Sequence, residues 1–583
     1  MQQLRGKAVS PGYVEGNAFV YNNRHAVEIP CYEITEHEVA AEHRRLREAI
    51  TRSFQELKQL EHEVLAKLGE THSAIFAAHL GLLQDQQFAE RVKDRIQRDL
   101  VNVEQALDAE VADLCDTLAA VENEYLRERA QDIRDVGSRV LRQLAHHDMG
   151  HYEELPPQSV IVARELLPSE TLDLDRKHVV GIVTEAGGEN SHAAILSRAL
   201  GIPAVTGIAD ATSLISGGTR ILIDGENGVV SVMPNKAALA DFALLKSHYD
   251  DDTSAAVAAE GLGCVTRDGT RISLLANINR PHDTDSVATH HLDGVGLFRT
   301  EFMYIESSEP PGFDRQVAVY RQMIDALADR PLVIRTLDLG GDKLPAFLSH
   351  HHKPNPLVSL RGLQFSLAER SLLETQMQAI ITASAGHDDV RVLLPMVLGE
   401  GDLADAIALL RKVSTDLGCT SPLKVGAMVE TPAALFALDE IMQLADFVCI
   451  GTNDLTQYML AADRNASGVE DCYSVLHPSV LRAIARVVDA GRLADREVCV
   501  CGESASYPQT ACLLVGLGVR QLSMSPVRAA RVRYLLRATD LAHLEDLAAD
   551  ASNSSSIAAV RKLLQDSRIS RATIAPAGHL VAP

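Results

Sequence analysis

The sequence contains no tryptophan, and aromatic residues make up only 4% of it. Its folded cores must therefore be built mainly from aliphatic side chains. No apolar run approaches the roughly 18 residues that a membrane-spanning helix needs. The start, Met1-Gln-Gln-Leu-Arg-Gly-Lys7, also lacks the apolar stretch of a signal peptide. The sequence thus predicts no membrane insertion and a cytoplasmic location.

Cysteine is scarce as well, with nine residues spread over 583 positions. An odd number scattered over a long chain predicts reduced, buried thiols and not a disulfide framework. Basic residues are outnumbered, with 55 Lys and Arg against 79 Asp and Glu, so the formal net charge is −24. This charge argues against nucleic-acid or anionic-membrane binding and suits a partner with a basic face.

The pattern along the chain predicts about three or four domains. Stretches rich in β-branched residues at 1–33 and 148–235 flank a strongly helical stretch at 34–147, which opens on a capping-box pattern at Thr35 and Glu38. The simplest interpretation is one α/β domain with an inserted helical bundle. A linker helix at 236–260 would follow, and a Ser-rich and then Ala/Pro-rich tail occupies 551–583.

Between the linker and the tail, residues 261–550 alternate short apolar strands with helices. Eight β/α units in about 280 residues predict a (β/α)8 TIM barrel, with a doubly wound sheet as the alternative. The candidate strands lie at 272–278, 295–300, 333–338, 357–361, 392–396, 425–430, 447–453 and 498–503.

Charged groups stand at the carboxyl ends of these candidate strands, where barrel active sites lie. For any one residue a surface salt bridge is the alternative interpretation. Together, three arginine forks suit phosphate or carboxylate, and two carboxylates suit Mg²⁺. The side chains at these ends are the charged Arg299, Arg335, Arg361, Glu430 and Asp454 and the uncharged Asn453 and Cys501. The set predicts one mouth that binds an anionic ligand and a metal.

The roles of Arg464 and Cys501 at this mouth stay open. Arg464 follows the strand at 447–453 closely enough to overhang the same mouth, although its spacing alone is weak support. Cys501 is either a small core residue or, beside arginines, a thiol that donates a proton.

His192 lies in a second candidate site. It follows a glycine pair and Ser191, at the start of a segment with helical composition. A helix start favours a phosphate, and neutral imidazole is a nucleophile near pH 7. His192 is therefore a candidate phosphoryl acceptor, with a structural, hydrogen-bonded histidine as the alternative.

Eight motifs occur in one order along the chain, and together they are specific. They are Ser10-Pro-Gly12, Leu167-Pro-Ser-Glu-Thr171, Gly187-Gly-Glu-Asn-Ser-His192, Gly296-Leu-Phe-Arg-Thr-Glu-Phe302, Arg335-Thr-Leu-Asp-Leu-Gly-Gly-Asp-Lys343, Met428-Val-Glu-Thr-Pro432, Gly451-Thr-Asn-Asp-Leu-Thr-Gln457 and Cys501-Gly-Glu503. Over residues 5–545 the sequence resembles enzyme I of the bacterial phosphoenolpyruvate:sugar phosphotransferase system, the phosphoenolpyruvate–protein phosphotransferases.

The resemblance implies a role for each matching residue. His192 matches the phosphorylated histidine, Thr171 a residue that steadies it, and Cys501 the acid that protonates the enolate. The positions that match phosphoenolpyruvate-binding residues are Arg299, Arg335, Arg361, Asn453, Asp454 and Arg464. Glu430 and Asp454 match the Mg²⁺ ligands.

The resemblance also implies an activity and partners. The chain would phosphorylate His192 from phosphoenolpyruvate, release pyruvate and pass the group to an HPr-like histidine phosphocarrier docked on the helical bundle, as the first step of sugar uptake. A homodimer through the barrel is implied too.

Two other functions stay open at this point. One is a dikinase-like fragment that needs a separate nucleotide module, although no ATP-grasp domain precedes the histidine segment. The other is a regulator that binds phosphoenolpyruvate or a carrier without turnover.

Overall fold

The structure, a computed structural model, describes residues 2–21, 30–68, 76, 79–119, 124–144, 155–166, 178–187, 194, 197–198, 200–305, 307, 309–339, 360–419, 423–462 and 473–567. The chain divides into two compact units, Met1–Asp250 and Asp251–Pro583. Among the described residues, no helix combines the length and apolar character needed to cross a membrane.

An eight-stranded mixed sheet forms the centre of the first unit. Its strands are β1 (Gln2–Arg5), β2 (Lys7–Ser10), β3 (Tyr13–Tyr21), β4 (Ser159–Ala163), β5 (Val179–Thr184), β6 (Ala204–Thr206), β7 (Arg220–Asp224) and β8 (Val229–Val232), in the order β1-β8-β7-β3-β4-β5-β6-β2. Strands β3 to β6 are parallel, and β7 and β8 pair antiparallel. The turn between the antiparallel strands β7 and β8 ends at Gly228, whose φ is +66°.

A helical bundle lies between β3 and β4 in the chain, which confirms the predicted insertion into an α/β fold. Its described helices are Val39–Leu68, Gln86–Asp99, Val103–Ala119 and Glu124–Leu144. The Glu38 carboxylate accepts a 2.8 Å hydrogen bond from the backbone N–H of Thr35, as the capping-box pattern predicts. The bundle core is chiefly aliphatic, with Leu46 and Leu107 fully buried. Short helix Ala211–Leu214 and helix Lys236–Ala258 follow later in the chain.

The second unit contains a closed barrel of eight parallel strands, which confirms the TIM barrel and excludes the doubly wound alternative. The strands are β9 (Ser273–Ile278), β10 (Gly294–Arg299), β11 (Leu332–Arg335), β12 (Val390–Leu394), β13 (Lys424–Val429), β14 (Phe447–Ile450), β15 (Glu497–Val500) and β16 (Gln521–Met524). The described α-helices of this unit are Asp285–Thr289, Glu301–Ile305, Phe313–Leu327, Leu363–Ala368, Arg370–Ala383, Glu400–Asp416, Pro432–Phe436, Leu438–Leu444, Thr452–Leu460, Pro478–Leu493, Pro508–Gly516, Ala529–Arg537, Leu541–Asn553 and Ile557–Asp566.

One predicted barrel strand, at 357–361, is wrong. Strand β11 pairs directly with β12, from Leu332 opposite Val390 to Arg335 opposite Leu393, so no strand lies between them. Residues 357–359 lie outside the described part of the chain. The eighth strand is instead β16, which pairs with β15 and β9 and closes the barrel. Its sequence, Gln-Leu-Ser-Met, is too short and too polar to stand out as a buried strand.

The barrel interior is packed with side chains. The buried interior residues are Leu275, Leu297, Val333, Leu393, Met428, Phe447, Cys449, Cys499 and Cys501. All eight cysteines in the described residues are free thiols.

Candidate active site

Arg335 ends β11 and lies at the centre of a buried ion-pair network at the barrel mouth. Its guanidinium donates to the Glu301 carboxylate at 2.8 Å and lies 3.1 Å from the Asp338 carboxylate. Glu301 also accepts from the backbone N–H of Asp338 at 3.0 Å. Two carboxylates thus hold the fork of Arg335 in a fixed orientation, which is what bidentate recognition of an anion requires.

Arg361 reaches the same mouth from a loop and not from a strand end. It donates to Asp454 at 2.9 and 3.3 Å, and to Asp338 at 3.3 Å through both Nε and Nη2. Gly362 follows with φ of +55°, and a Cβ there would meet the Met396 side chain at 2.7 Å. Glycine therefore suits position 362, and Arg361 before it lies between the carboxylates of Asp338 and Asp454, which follow β11 and β14.

Glu430 is buried directly after β13 among charges of its own sign. Its side chain accepts a 2.7 Å hydrogen bond from the backbone N–H of Met396. Burial raises the pKa of the Glu430 carboxyl well above its ordinary value, and the nearby carboxylates of Asp454 and Asp338 raise it further. The cluster of Arg335, Arg361 and four carboxylates contains more negative than positive charge.

These residues fit a divalent cation. In the described part of the chain, no three His, Cys, Asp or Glu side chains are arranged to hold a metal alone. Mg²⁺ typically takes one or two carboxylates and completes its shell with water and substrate oxygens, so the pair Glu430 and Asp454 is sufficient. A cation there would also relieve the repulsion that raises the pKa of Glu430.

Arg299, Asn453 and Cys501 complete the described mouth. Arg299 is the partner of Arg335 across neighbouring strands, and its nearest carboxylate among the described residues, on Glu503, lies 4.0 Å away. The Asn453 amide oxygen accepts from the Glu503 backbone N–H at 3.2 Å. Arg299 is therefore less engaged than Arg335 and better placed to receive an incoming anion.

Cys501 follows β15 directly and is 2% exposed. A hydrogen bond with the Cys449 thiol lowers the pKa of Cys501, and the charges of Arg335 and Arg299 lower it further, against the effect of burial. Such a thiol is a stronger acid than an ordinary buried cysteine, while its role as proton donor stays a prediction.

Three residues at this mouth were not predicted to have a role. Glu301 and Asp338 lie inside motifs quoted above. Their carboxylates, which pair with the Arg335 guanidinium, are the sequence feature that could have indicated this role. Asn277, near the end of β9, donates from its amide to the Cys501 carbonyl at 3.0 Å, and Ser523 donates to the Asn277 amide oxygen at 2.6 Å. No sequence pattern indicated this contact, because it joins residues more than two hundred positions apart.

The predicted sites His192, Thr171 and Arg464 lie outside the described residues. Their roles remain predictions that rest on the family resemblance. The structure brings together the other predicted residues of the barrel mouth, namely Arg299, Arg335, Arg361, Glu430, Asn453, Asp454 and Cys501.

We expect Glu430→Gln to stabilise the metal-free protein at neutral pH. Because the folded-state pKa of Glu430 is raised, its contribution to stability is full below the ordinary pKa of about 4.5 and is lost as pH rises through the raised value. In the presence of a chelator, the melting temperature of Glu430→Gln should therefore be higher than that of the unaltered protein. The difference should grow as pH rises. Glu374→Gln, which changes an exposed ion pair with Arg370, is the control. If the melting temperatures of the unaltered protein and of Glu430→Gln had the same pH dependence, the prediction would be contradicted.

We expect Arg335→Met to lower the free energy of unfolding by about 3–5 kcal/mol, because it leaves buried carboxylates without their cation. Arg271→Met removes an exposed ion pair with Asp293 and should cost below about 1 kcal/mol. Urea denaturation, followed through the secondary structure of the second unit, measures the free energy of unfolding of both variants. Similar losses in the two variants would show that the buried network is not held by charge.

Comparison with known proteins agrees with this architecture. Three family descriptions match the chain: "PEP-utilising enzyme, N-terminal" at 5–129, "PEP-utilising enzyme, mobile domain" at 155–228 and "PEP-utilising enzyme, PEP-binding domain" at 255–541. The last of these spans the barrel and every described residue of its mouth.

Curated relatives match nearly end to end. The phosphoenolpyruvate-protein phosphotransferase of Geobacillus stearothermophilus is 35% identical over 92% of this chain and 93% of its own length. The protein of the same name from Haemophilus influenzae is 31% identical over 97% and 98%. The NMR solution structure of the Enzyme I protein nEIt is 33% identical and covers 42% of this chain, but its TM-score of 0.35 is too low to support an argument about fold. By its matched domains and its full-length relatives, this chain belongs to the phosphoenolpyruvate-protein phosphotransferase family of PEP-utilising enzymes.

Proposed function

We propose that the chain transfers the phosphoryl group of phosphoenolpyruvate to its own His192 and then to a histidine of an HPr-like phosphocarrier, releasing pyruvate. This is the first step of the phosphotransferase system for sugar uptake. The observation that carries the proposal is the barrel mouth, where Arg299, Arg335 and Arg361 converge with Glu430 and Asp454. A cytoplasmic location accompanies this function.

The mouth suits phosphoenolpyruvate because it offers arginine cations for the anionic substrate and carboxylates for a metal ion. Arg299, Arg335 and Arg361 orient the phosphate and carboxylate, while Arg464 and Asn453 complete the proposed binding set. Glu430 and Asp454 would hold Mg²⁺, which when bound supplies positive charge beside the substrate's phosphate and carboxylate. The carboxylate network around Arg335 and Arg361 fixes these forks before the substrate arrives, so little reorganisation is needed.

The proposed phosphoryl transfer exchanges one bond to phosphorus for another. A ring nitrogen of His192 forms a bond to phosphorus, and the phosphorus–oxygen bond of phosphoenolpyruvate breaks with its electron pair left on the enolate oxygen. The enolate carbon takes the proton from the Cys501 thiol, which gives pyruvate and a thiolate. The thiolate regains a proton from solvent before the next turnover, and Thr171 steadies the phosphorylated imidazole.

The second transfer needs a carrier and a place for it to dock. We assign docking to the inserted helical bundle at 34–147, and assembly to a homodimer through the barrel. The formal net charge of −24 supports a carrier with a basic face, because opposite charges accelerate encounter.

Incubation with phosphoenolpyruvate labelled in its phosphate, with Mg²⁺ and with candidate carriers of the sugar-, fructose- and nitrogen-linked branches, tests the function. We expect acid-labile phosphate on this chain and on one carrier, with pyruvate released. Labelling that requires ATP or AMP would support the dikinase-like fragment instead. Binding of phosphoenolpyruvate without pyruvate release would support a regulator.

A further inference from the structure

A buried glutamine connects the chain segments that follow two arginine-bearing strands of the barrel. Gln376 is 1% exposed, and its amide oxygen accepts a 3.0 Å hydrogen bond from the backbone N–H of Leu337, two residues after Arg335. Its amide nitrogen donates at 3.1 Å to the hydroxyl of Thr300, which directly follows Arg299. One side chain thus contacts the segments that leave both β10 and β11.

The Thr300 hydroxyl continues this connection from one strand end to the other. It is fully buried and donates its hydrogen to the Arg335 carbonyl oxygen at 3.0 Å. A backbone N–H can only donate, so the amide oxygen of Gln376 faces Leu337 and its nitrogen faces Thr300. The hydrogen bonds therefore run in one direction, from the Gln376 amide to the Thr300 hydroxyl and on to the Arg335 carbonyl.

Neighbouring polar side chains hold Gln376 itself in place. Its amide nitrogen also donates to the Tyr320 hydroxyl at 3.2 Å, and Tyr320 donates to the Gln316 amide oxygen at 3.2 Å. Gln316 donates in turn to the Pro311 carbonyl at 2.8 Å. Tyr320 and Gln316 lie on the helix Phe313–Leu327 and are buried. Because the nitrogen and the oxygen of the Gln376 amide are both engaged inside the protein, its orientation is fixed.

We propose that Thr300 and Gln376 are positioning residues that set the separation and orientation of Arg299 and Arg335 for the phosphoenolpyruvate anion. The proposal rests on the proposed function, in which both guanidinium groups bind this substrate. The register between β10 and β11 is irregular before Arg299, so a regular backbone ladder alone does not fix the two strand ends. A buried bridge from the helix Arg370–Ala383 fixes them instead, and it is already formed when the anion arrives.

The first test compares variants that remove or keep this bridge. Thr300→Val removes the hydroxyl at nearly constant volume, Gln376→Leu removes the amide, and Thr300→Ser keeps a hydroxyl. For Thr300→Val and Gln376→Leu we expect the KM for phosphoenolpyruvate to rise about tenfold with a much smaller change in kcat, because the arginine forks bind the substrate before the transfer. Thr300→Ser should restore the KM of the unaltered protein.

Gln316→Met is the matched control, since it removes a buried amide from the same network without contacting either strand end. Its melting temperature should fall as in Gln376→Leu, while its KM should equal that of the unaltered protein. A similar rise of KM in Gln316→Met would overturn the positioning role, because the loss would then follow from general destabilisation of the barrel. If Gln376→Leu does not fold, equal KM values for Thr300→Val and Thr300→Ser would overturn it as well.

Hydrogen exchange at the Leu337 amide gives a second readout that needs no substrate. Exchange in the peptide that contains Leu337, followed by mass spectrometry under native conditions, should accelerate in Gln376→Leu and stay unchanged in Gln316→Met. Unchanged exchange in Gln376→Leu, or faster exchange with unchanged KM, would overturn the proposal. Faster exchange in Gln376→Leu, together with an unaltered protein that neither binds phosphoenolpyruvate nor releases pyruvate, would confirm the contact and refute the proposed function. The two failures are therefore distinguishable.

Discussion

Replacement of His192 by alanine is expected to reduce phosphoryl labelling from phosphoenolpyruvate to background. The proposed chemistry has one acceptor, and alanine offers no atom that can form a bond to phosphorus. Labelled phosphoenolpyruvate with Mg²⁺, followed by detection of acid-labile phosphate on the protein, measures the effect. Transfer to a carrier should be lost to the same degree, because in the proposed reaction the carrier receives its phosphoryl group from His192.

The matched control for this prediction is His178→Ala, in the same unit of the chain just before β5. We expect its labelling to equal that of the unaltered protein. Persistent labelling of the His192→Ala protein at another residue would contradict the assignment of the acceptor. His192 would then be a structural, hydrogen-bonded histidine.

Cys501→Ala is expected to lower the rate of pyruvate release by about 10²–10⁴-fold, the usual contribution of a positioned general acid. Binding of phosphoenolpyruvate should change little, because the arginine forks and the carboxylates that hold them remain. A fall in kcat at nearly constant KM therefore distinguishes loss of the proton donor from loss of the binding site. A coupled assay for pyruvate measures both parameters.

Cys499→Ala is the control for Cys501→Ala, since it removes an equally small, buried thiol from β15, two residues earlier and in the same interior cluster. Its rate should match that of the unaltered protein. If Cys501→Ala also released pyruvate at the unaltered rate, the thiol would be a core residue and the enolate would take its proton from another group.

Much of the barrel mouth could be predicted because strand ends are local features. Arg299 and Arg335 end buried apolar runs, and Glu430 follows one directly, so their convergence follows once the barrel is assumed. Arg361 was predicted at the mouth for a wrong reason, as the end of a strand that the barrel does not contain. It lies there because Asp338 and Asp454 hold it, and no local pattern encodes that contact.

The motifs and hydrophobic periodicity alone determined seven of the eight barrel strands, the helical insertion, the family and the identity of the candidate catalytic groups. These depend on short stretches of chain, where residue type and spacing have direct conformational and chemical meaning. Only the tertiary structure decided which strand closes the barrel, how the carboxylates share two arginines and why the pKa of the Cys501 thiol is lowered in spite of its burial. Those outcomes depend on distances between residues far apart in the chain and on their removal from water, since both charge interactions and hydrogen bonds change with burial.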